Sequence, residues 1–165
     1  MNVPRQLPVR PTTDRAKESL FNILSNWMDF EQQEVLDLFA GTGNMAIEFA
    51  SRGCKQVTVV DQHIGCIRCI EKTIQSWDIP NINTVRSDAE KYLKKCTKSY
   101  DIIFADPPYK MPDKGIIHKL VMGNDLLNKD GFFILEHKKG EDYSELAGFY
   151  ESRNYGDVNF SIFKS

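Results

Sequence analysis

Apolar positions along this chain fall into blocks that alternate between a helical and a strand period. Ala16, Leu20, Phe21, Ile23, Leu24 and Trp27 recur at three- and four-residue intervals behind a polar Thr12 to Asp14 start. That spacing predicts an amphipathic helix capped near its first turn. Short apolar runs follow at about 34–40, 56–61, 82–87, 100–105 and 131–137, each separated by a helical pattern at 43–52, 63–78, 88–96 and 113–127. Strands that alternate with helices in this way predict an α/β architecture, a parallel sheet covered by helices on both faces. The tail breaks the alternation. Phe149 to Tyr155, a Gly156-Asp157 turn and a last apolar run at 158–163 read as a hairpin. With no internal repeat, low-complexity stretch or linker, the chain 1–165 is expected to form one domain, with residues 1–30 as an N-terminal arm and helix.

The punctuation between these runs carries the chemistry. The run ending at Ala105 delivers Asp106-Pro107-Pro108-Tyr109 at the C-terminal end of a strand, where open α/β sheets place their ligands. Two prolines remove two backbone donors and push the residue before each into an extended conformation, leaving the carbonyls of Asp106 and Pro107 without a competing N–H beside them. An acceptor-rich, rigid loop followed by an aromatic ring suits a planar substrate with an exocyclic amine, and it also suits an ordinary turn. Val35 to Ala46 reads as strand, glycine turn and helix start, with Gly41, Gly43 and Ala46 in a Gly-x-Gly-x-x-Ala pattern. Such a turn exposes backbone N–H groups around Gly43 and Asn44 to a carboxylate or phosphate. Asp61 ends the next strand twenty positions after Gly41, the offset at which such folds offer a carboxylate to ribose hydroxyls. A structural turn or a dinucleotide site would account for the glycines as well. Asp37, four residues before Gly41, would repel a pyrophosphate but tolerate a cation.

Taken together, Asp37-Leu38-Phe39-Ala40-Gly41-Thr42-Gly43, Asp61 and Asp106-Pro107-Pro108-Tyr109 resemble the S-adenosylmethionine-dependent amino-methyltransferases. Arg10-Pro11-Thr12-Thr13-Asp14-Arg15, leading into Lys17 to Asn22, narrows the resemblance to the small-subunit ribosomal-RNA guanine-N2 methyltransferases of the RsmD type. It runs from about Leu7 to the C-terminus, with the motifs in family order. The resemblance implies a Rossmann-like class I methyltransferase fold: a mostly parallel seven-stranded sheet in the order 3-2-1-4-5-7-6, whose C-terminal hairpin adds an antiparallel strand. It implies S-adenosylmethionine as cofactor, held by Asp37, Phe39, Gly41, Gly43, Asn44, Asp61 and Asp88. Asp106, Pro107, Pro108 and Tyr109 would be the catalytic loop, and Arg10, Thr12, Arg15 and Tyr109 would meet the substrate. Asp88, before Ala89, could equally be a helix N-cap. Members of that family carry a basic, glycine-containing strand segment before the Arg-Pro-Thr-Thr-Asp-Arg motif. Residues 1–9 stand in that place, so substrate docking is expected to rest on fewer contacts here.

Composition changes the picture in one respect. At 165 residues, 41% apolar and 27% charged, the chain can build a single core. Its net charge of −2 supplies no global pull toward nucleic acid, so any RNA contact is expected from a local patch such as Arg5, Arg10, Arg15 and Lys17. No apolar stretch approaches the roughly twenty residues of a membrane span, and a cytoplasmic monomer is expected. Cys66 and Cys69 form a Cys-x-x-Cys inside a helical run, with no second pair to complete a zinc set; no metal is expected. His137 follows the apolar run Phe132 to Glu136 and so is expected on the active-site edge, but methyl transfer from a sulfonium requires no histidine. The partner expected is ribosomal RNA, presented in a partly assembled small subunit. The rival readings are an adenine-N6 DNA methyltransferase, a nucleotide-dependent oxidoreductase that would leave Asp106 to Tyr109 without a role, and a non-catalytic RNA-binding assembly protein.

Overall fold

The computed structural model describes residues 12–165. Arg5 and Arg10 lie outside the described residues. Helix α1 (Asp14–Trp27) starts at Thr13, whose hydroxyl accepts from the Ala16 N–H at 3.3 Å, and buries Ala16, Leu20, Phe21 and Leu24 on one face. A 3₁₀ turn (Phe30–Gln32) leads into β1 (Glu34–Leu38), and the chain continues through α2 (Asn44–Ser51), β2 (Gln56–Asp61), α3 (Ile64–Trp77), β3 (Ile82–Arg86) and α4 (Ala89–Lys95). Then come β4 (Tyr100–Ala105), α5 (Gly115–Gly123), β5 (Leu127–Lys138), β6 (Phe149–Tyr155) and β7 (Val158–Lys164).

Among the described residues, seven strands join one sheet in the order β3-β2-β1-β4-β5-β7-β6. The β1–β5 strands pair in parallel, and β7 inserts antiparallel between β5 and β6. Because side chains alternate across a strand, the sheet feeds two apolar layers. Val35, Val59, Ile102, Phe104, Ile134 and Phe160 pack with α1, α2 and α3 on one face. Leu36, Leu38, Ile103, Ala105, Phe133 and Phe163 pack with α4 and α5 on the other.

Two elements differ from their sequence-based bounds by more than two residues at one end. The helix predicted over 113–127 covers only Gly115–Gly123, since Asp125 takes a left-handed φ of 52° and Leu126 accepts the Tyr100 N–H into the sheet. The apolar pair Leu126-Leu127 had extended the helical period past its stop. The strand predicted at 131–137 begins earlier, at Leu127, and carries a bulge between its pairings with Tyr100 and Ile102. Gly131 sits in that bulge, where a Cβ would stand 2.8 Å from the Asn128 carbonyl and 2.9 Å from that of Asp101.

Candidate active site

The strand order reverses between β1 and β4, which lie side by side with Leu38 opposite Ala105, so the loops leaving them diverge. A crevice forms at such a switch point. Here it is a cavity of about 580 Å³. Its floor is the β1–α2 loop. Phe39 opens that loop with φ 59°, a left-handed conformation rare for a bulky residue, and Gly43 closes it with φ 80°. A Cβ on Gly43 would come within 2.9 Å of the Ile70 side chain, so α3 packs against bare backbone there.

The loop is tied to β2. The Ala40 N–H donates to the Val60 carbonyl at 3.1 Å, and the Gly41 N–H donates to Asp61 Oδ2 at 2.9 Å. The other Asp61 oxygen accepts from the His63 N–H at 2.8 Å. Asp61 therefore braces the glycine loop as well as lining the cavity, and although the Cys66 thiol also bonds to it, its four acceptor sites leave room for a ligand donor. The Gly43 N–H, expected to face a ligand, donates instead to the Ala40 carbonyl at 2.8 Å, which corrects that expectation. Asn44 is also engaged: its Nδ2 donates to the Thr12 carbonyl at 3.4 Å and its Oδ1 accepts from Lys17 Nζ at 3.0 Å.

Among the residues expected to hold a cofactor, Asp37, Phe39, Gly41, Asn44, Asp61 and Asp88 line the cavity, while Gly43 shapes the turn beside it. Asp88 is the N-cap of α4, accepting the Lys91 N–H at 3.0 Å, and lines the cavity too. Asp106, Pro107, Pro108 and Tyr109 border the same space from β4, with the Tyr109 ring 49% exposed at the mouth. Thr12 lines the cavity; Arg15 is exposed on α1 and does not. Cys66 and Cys69 sit together on α3, and burial pushes the Cys66 thiol up to about 12.

Sequence reading missed Glu136. It lines the cavity from β5 and accepts the Thr12 hydroxyl at 2.6 Å across 124 residues of chain. Nothing local marks it, since it closes an apolar strand like many surface acids. His137 is buried and turned away, hydrogen-bonded to Ser161 Oγ at 2.7 Å.

Asp37, Asp61, Asp88, Asp106 and Glu136 make this an acid-rich wall. Burial, with the Asp61 and Glu136 charges adding to it, holds the Asp37 carboxyl well above the usual carboxylate range. Among the described residues, Asp37 Oδ2 is the buried side-chain oxygen that no hydrogen bond satisfies. Such an atom calls for a donor from outside the protein.

The antiparallel β7 between β5 and β6 is what sets class I methyltransferases apart from all-parallel dinucleotide-binding sheets, and the fold places this chain in that class. The Escherichia coli protein yhhF, solved as a candidate methyltransferase, superposes with a TM-score of 0.86 at 25% identity, covering 99% of this chain and 90% of that one. The T. thermophilus 16S rRNA N2 methyltransferase RsmC, solved with AdoMet and guanosine, shares the fold at a TM-score of 0.74 and 20% identity, over 96% of this chain and 45% of that one. The chain belongs to the family described as conserved hypothetical protein 95, whose model matches residues 1–164. A candidate rRNA methyltransferase of Bacillus subtilis, YlbH, is 32% identical over 162 residues, 94% of this chain and 87% of that protein. The ribosomal RNA small subunit methyltransferase D of Haemophilus influenzae is 30% identical over 181 residues, 98% of this chain and 89% of that protein.

Proposed function

We propose that this protein transfers the methyl group of S-adenosylmethionine to the exocyclic N2 amine of a guanine in small-subunit ribosomal RNA, acting as one domain in the cytoplasm. The observation that carries the reading is the convergence of Asp37, Asp61 and the Asp106-to-Tyr109 loop on one cavity at the β1/β4 switch point. The names of the relatives support the substrate, and no helix among the described residues is long and apolar enough to cross a membrane.

The residues present fit the cofactor. Asp37 Oδ2 lacks a donor and belongs to an acidic wall, which suits a ligand with an ammonium and a sulfonium. When bound, S-adenosylmethionine supplies a methyl group on a good leaving group, so the protein's work is alignment. Asp61 would accept from the ribose hydroxyls with the acceptor capacity left over from Gly41, His63 and Cys66. Asp88 would accept from the adenine amine. Asp106 would accept a hydrogen bond from the target amine, drawing its nitrogen toward tetrahedral geometry and dispersing the charge that develops on it, and would take the one proton the nitrogen sheds as the N–C bond replaces the S–C bond. Tyr109 would stack on the base, which must first leave its helix at a cost of roughly a few kcal/mol.

The test is methyl transfer from labelled S-adenosylmethionine to unmodified small-subunit particles, followed by nucleoside analysis. The expected product is N2-methylguanosine. Asp106→Ala should lower the single-turnover rate by at least about a hundredfold, within the range for loss of a transition-state acceptor, and leave cofactor affinity intact. Label in N6-methyladenosine of a DNA substrate, with none in the particles, would overturn the substrate class.

A further inference from the structure

Tyr109 lines the cavity and is half exposed, and two lysines that do not line it, from different elements, lie over its ring: Lys138 Nζ at 4.3 Å from the ring centroid and Lys114 Nζ at 6.0 Å. The two are differently committed. Lys114, at the N-terminus of α5, is 4% exposed, and its ammonium is 2.7 Å from Glu141 Oε1. Against the upward push of burial, that hydrogen bond and charge hold the Glu141 carboxyl below its usual range. Lys138, the last residue of β5, has no carboxylate within ion-pair distance among the described residues, and the ring face is its close contact.

The stem of Lys138 starts from a fixed point. His137 donates from Nδ1 to the Lys138 carbonyl at 3.0 Å, which leaves Nε2 to accept the Ser161 hydroxyl at 2.7 Å. Lys138 itself is paired with Val158 of β7. An ammonium anchored this way over an aromatic face is attracted by the ring's quadrupole. A half-exposed tyrosine on a Pro-Pro loop would otherwise sample several rotamers. A base can stack on a ring only where the ring is already held, because ordering it at the moment of binding costs affinity.

We propose that Lys138 is a positioning residue for the acceptor base: its ammonium holds the Tyr109 ring in the pose on which the base stacks. The proposal rests on Tyr109 being the stacking platform, and the experiment separates the two. A double-mutant cycle compares the wild type, Lys138→Met, Tyr109→Ala and the double variant on unmodified small-subunit particles. Equilibrium binding of the particles with S-adenosylhomocysteine present stands in wherever turnover is too slow. Lys138→Met should raise KM for the particles about two- to fivefold, the factor matching an exposed cation–π contact, with kcat and cofactor affinity unchanged. Lys138→Arg should restore KM, and the effect should vanish in the Tyr109→Ala background. An equal Lys138→Met effect with and without the tyrosine overturns the proposal alone. So does a fall of about one in the slope of log affinity against log salt, the mark of a lost phosphate contact. Unchanged particle affinity in Tyr109→Ala overturns the stacking reading and this proposal with it.

Discussion

Asp37 shows how one residue can be costly to the fold and useful to the site. It sits in the middle of the sheet, 1% exposed, with one oxygen unsatisfied and two further carboxylates nearby. A carboxyl held above its usual range in the folded state binds protons that the unfolded chain, titrating near 3.9, has already released. Its contribution therefore favours folding at low pH and is lost as the pH rises from about 4 through the folded value. Asp37→Asn removes the buried charge. At pH 8 the ligand-free variant should be about 1–3 kcal/mol more stable than the wild type, the scale of a buried unsatisfied polar group, and the gap should close toward pH 4. Thermal melts of both proteins across that range check the sign; a variant less stable than wild type at every pH would show that Asp37 is satisfied in solution. The same substitution should weaken S-adenosylmethionine binding, because a neutral amide attracts a cation less. The offset of Asp61 from Gly41 marked it as a candidate acceptor for ribose hydroxyls, but its two bonds to Gly41 and His63 were not readable there. A pattern of spacing says which residues can meet, while the lone pairs already in use depend on where the backbone amides point.

The element on which the site depends is the β1–α2 loop. Its positive φ values at Phe39, Gly41 and Gly43 let five residues reverse direction between a strand and a helix. Gly43→Ala combines a left-handed φ with a contact of 2.9 Å to Ile70. The expected cost is about 1–3 kcal/mol, with loss of cofactor binding larger than the loss of fold, since the turn carries Phe39, Gly41 and Asn44 on the cavity wall. Denaturant unfolding and calorimetry on the one variant measure both. An unchanged midpoint would mean that Ile70 moves aside at no cost. Elements of this kind were legible because glycine spacing and hydrophobic period are local signals. The left-handed Phe39 was not, because a phenylalanine adopts that conformation only when the surrounding packing imposes it. The early end of α5 was hidden for a related reason: Leu126 and Leu127 continue the helical period, yet their places are in the sheet.

For the whole molecule, the question is what brings an acceptor to an acid-lined cavity. A net charge of −2 offers little general attraction to a polyanion. Of the two basic residues of the N-terminal patch that lie among the described residues, Lys17 is bonded to Asn44 and to Glu48, while Arg15 is exposed. Methyl transfer should therefore be faster to partly assembled small-subunit particles than to protein-free ribosomal RNA, and binding of the free RNA should weaken only slightly between low and moderate salt. Tritiated methyl transfer to the two substrates at several ionic strengths checks both statements. Faster transfer to the free RNA would sink the idea that presentation by the particle is needed.

The sequence by itself determined the alternation of elements, the parallel sheet, the hairpin at the tail, and the strand ends that carry Asp37, Asp61 and Asp106. Each follows from local periodicity, turn chemistry or short spacing. Only the tertiary structure decided that Thr12 meets Glu136, that Lys138 lies over Tyr109, and that the Gly43 amide serves the turn rather than a ligand. Those contacts join residues far apart in the chain or depend on the direction of a single bond. Strand order and backbone torsion settle them, and neither leaves a local trace in the order of residues.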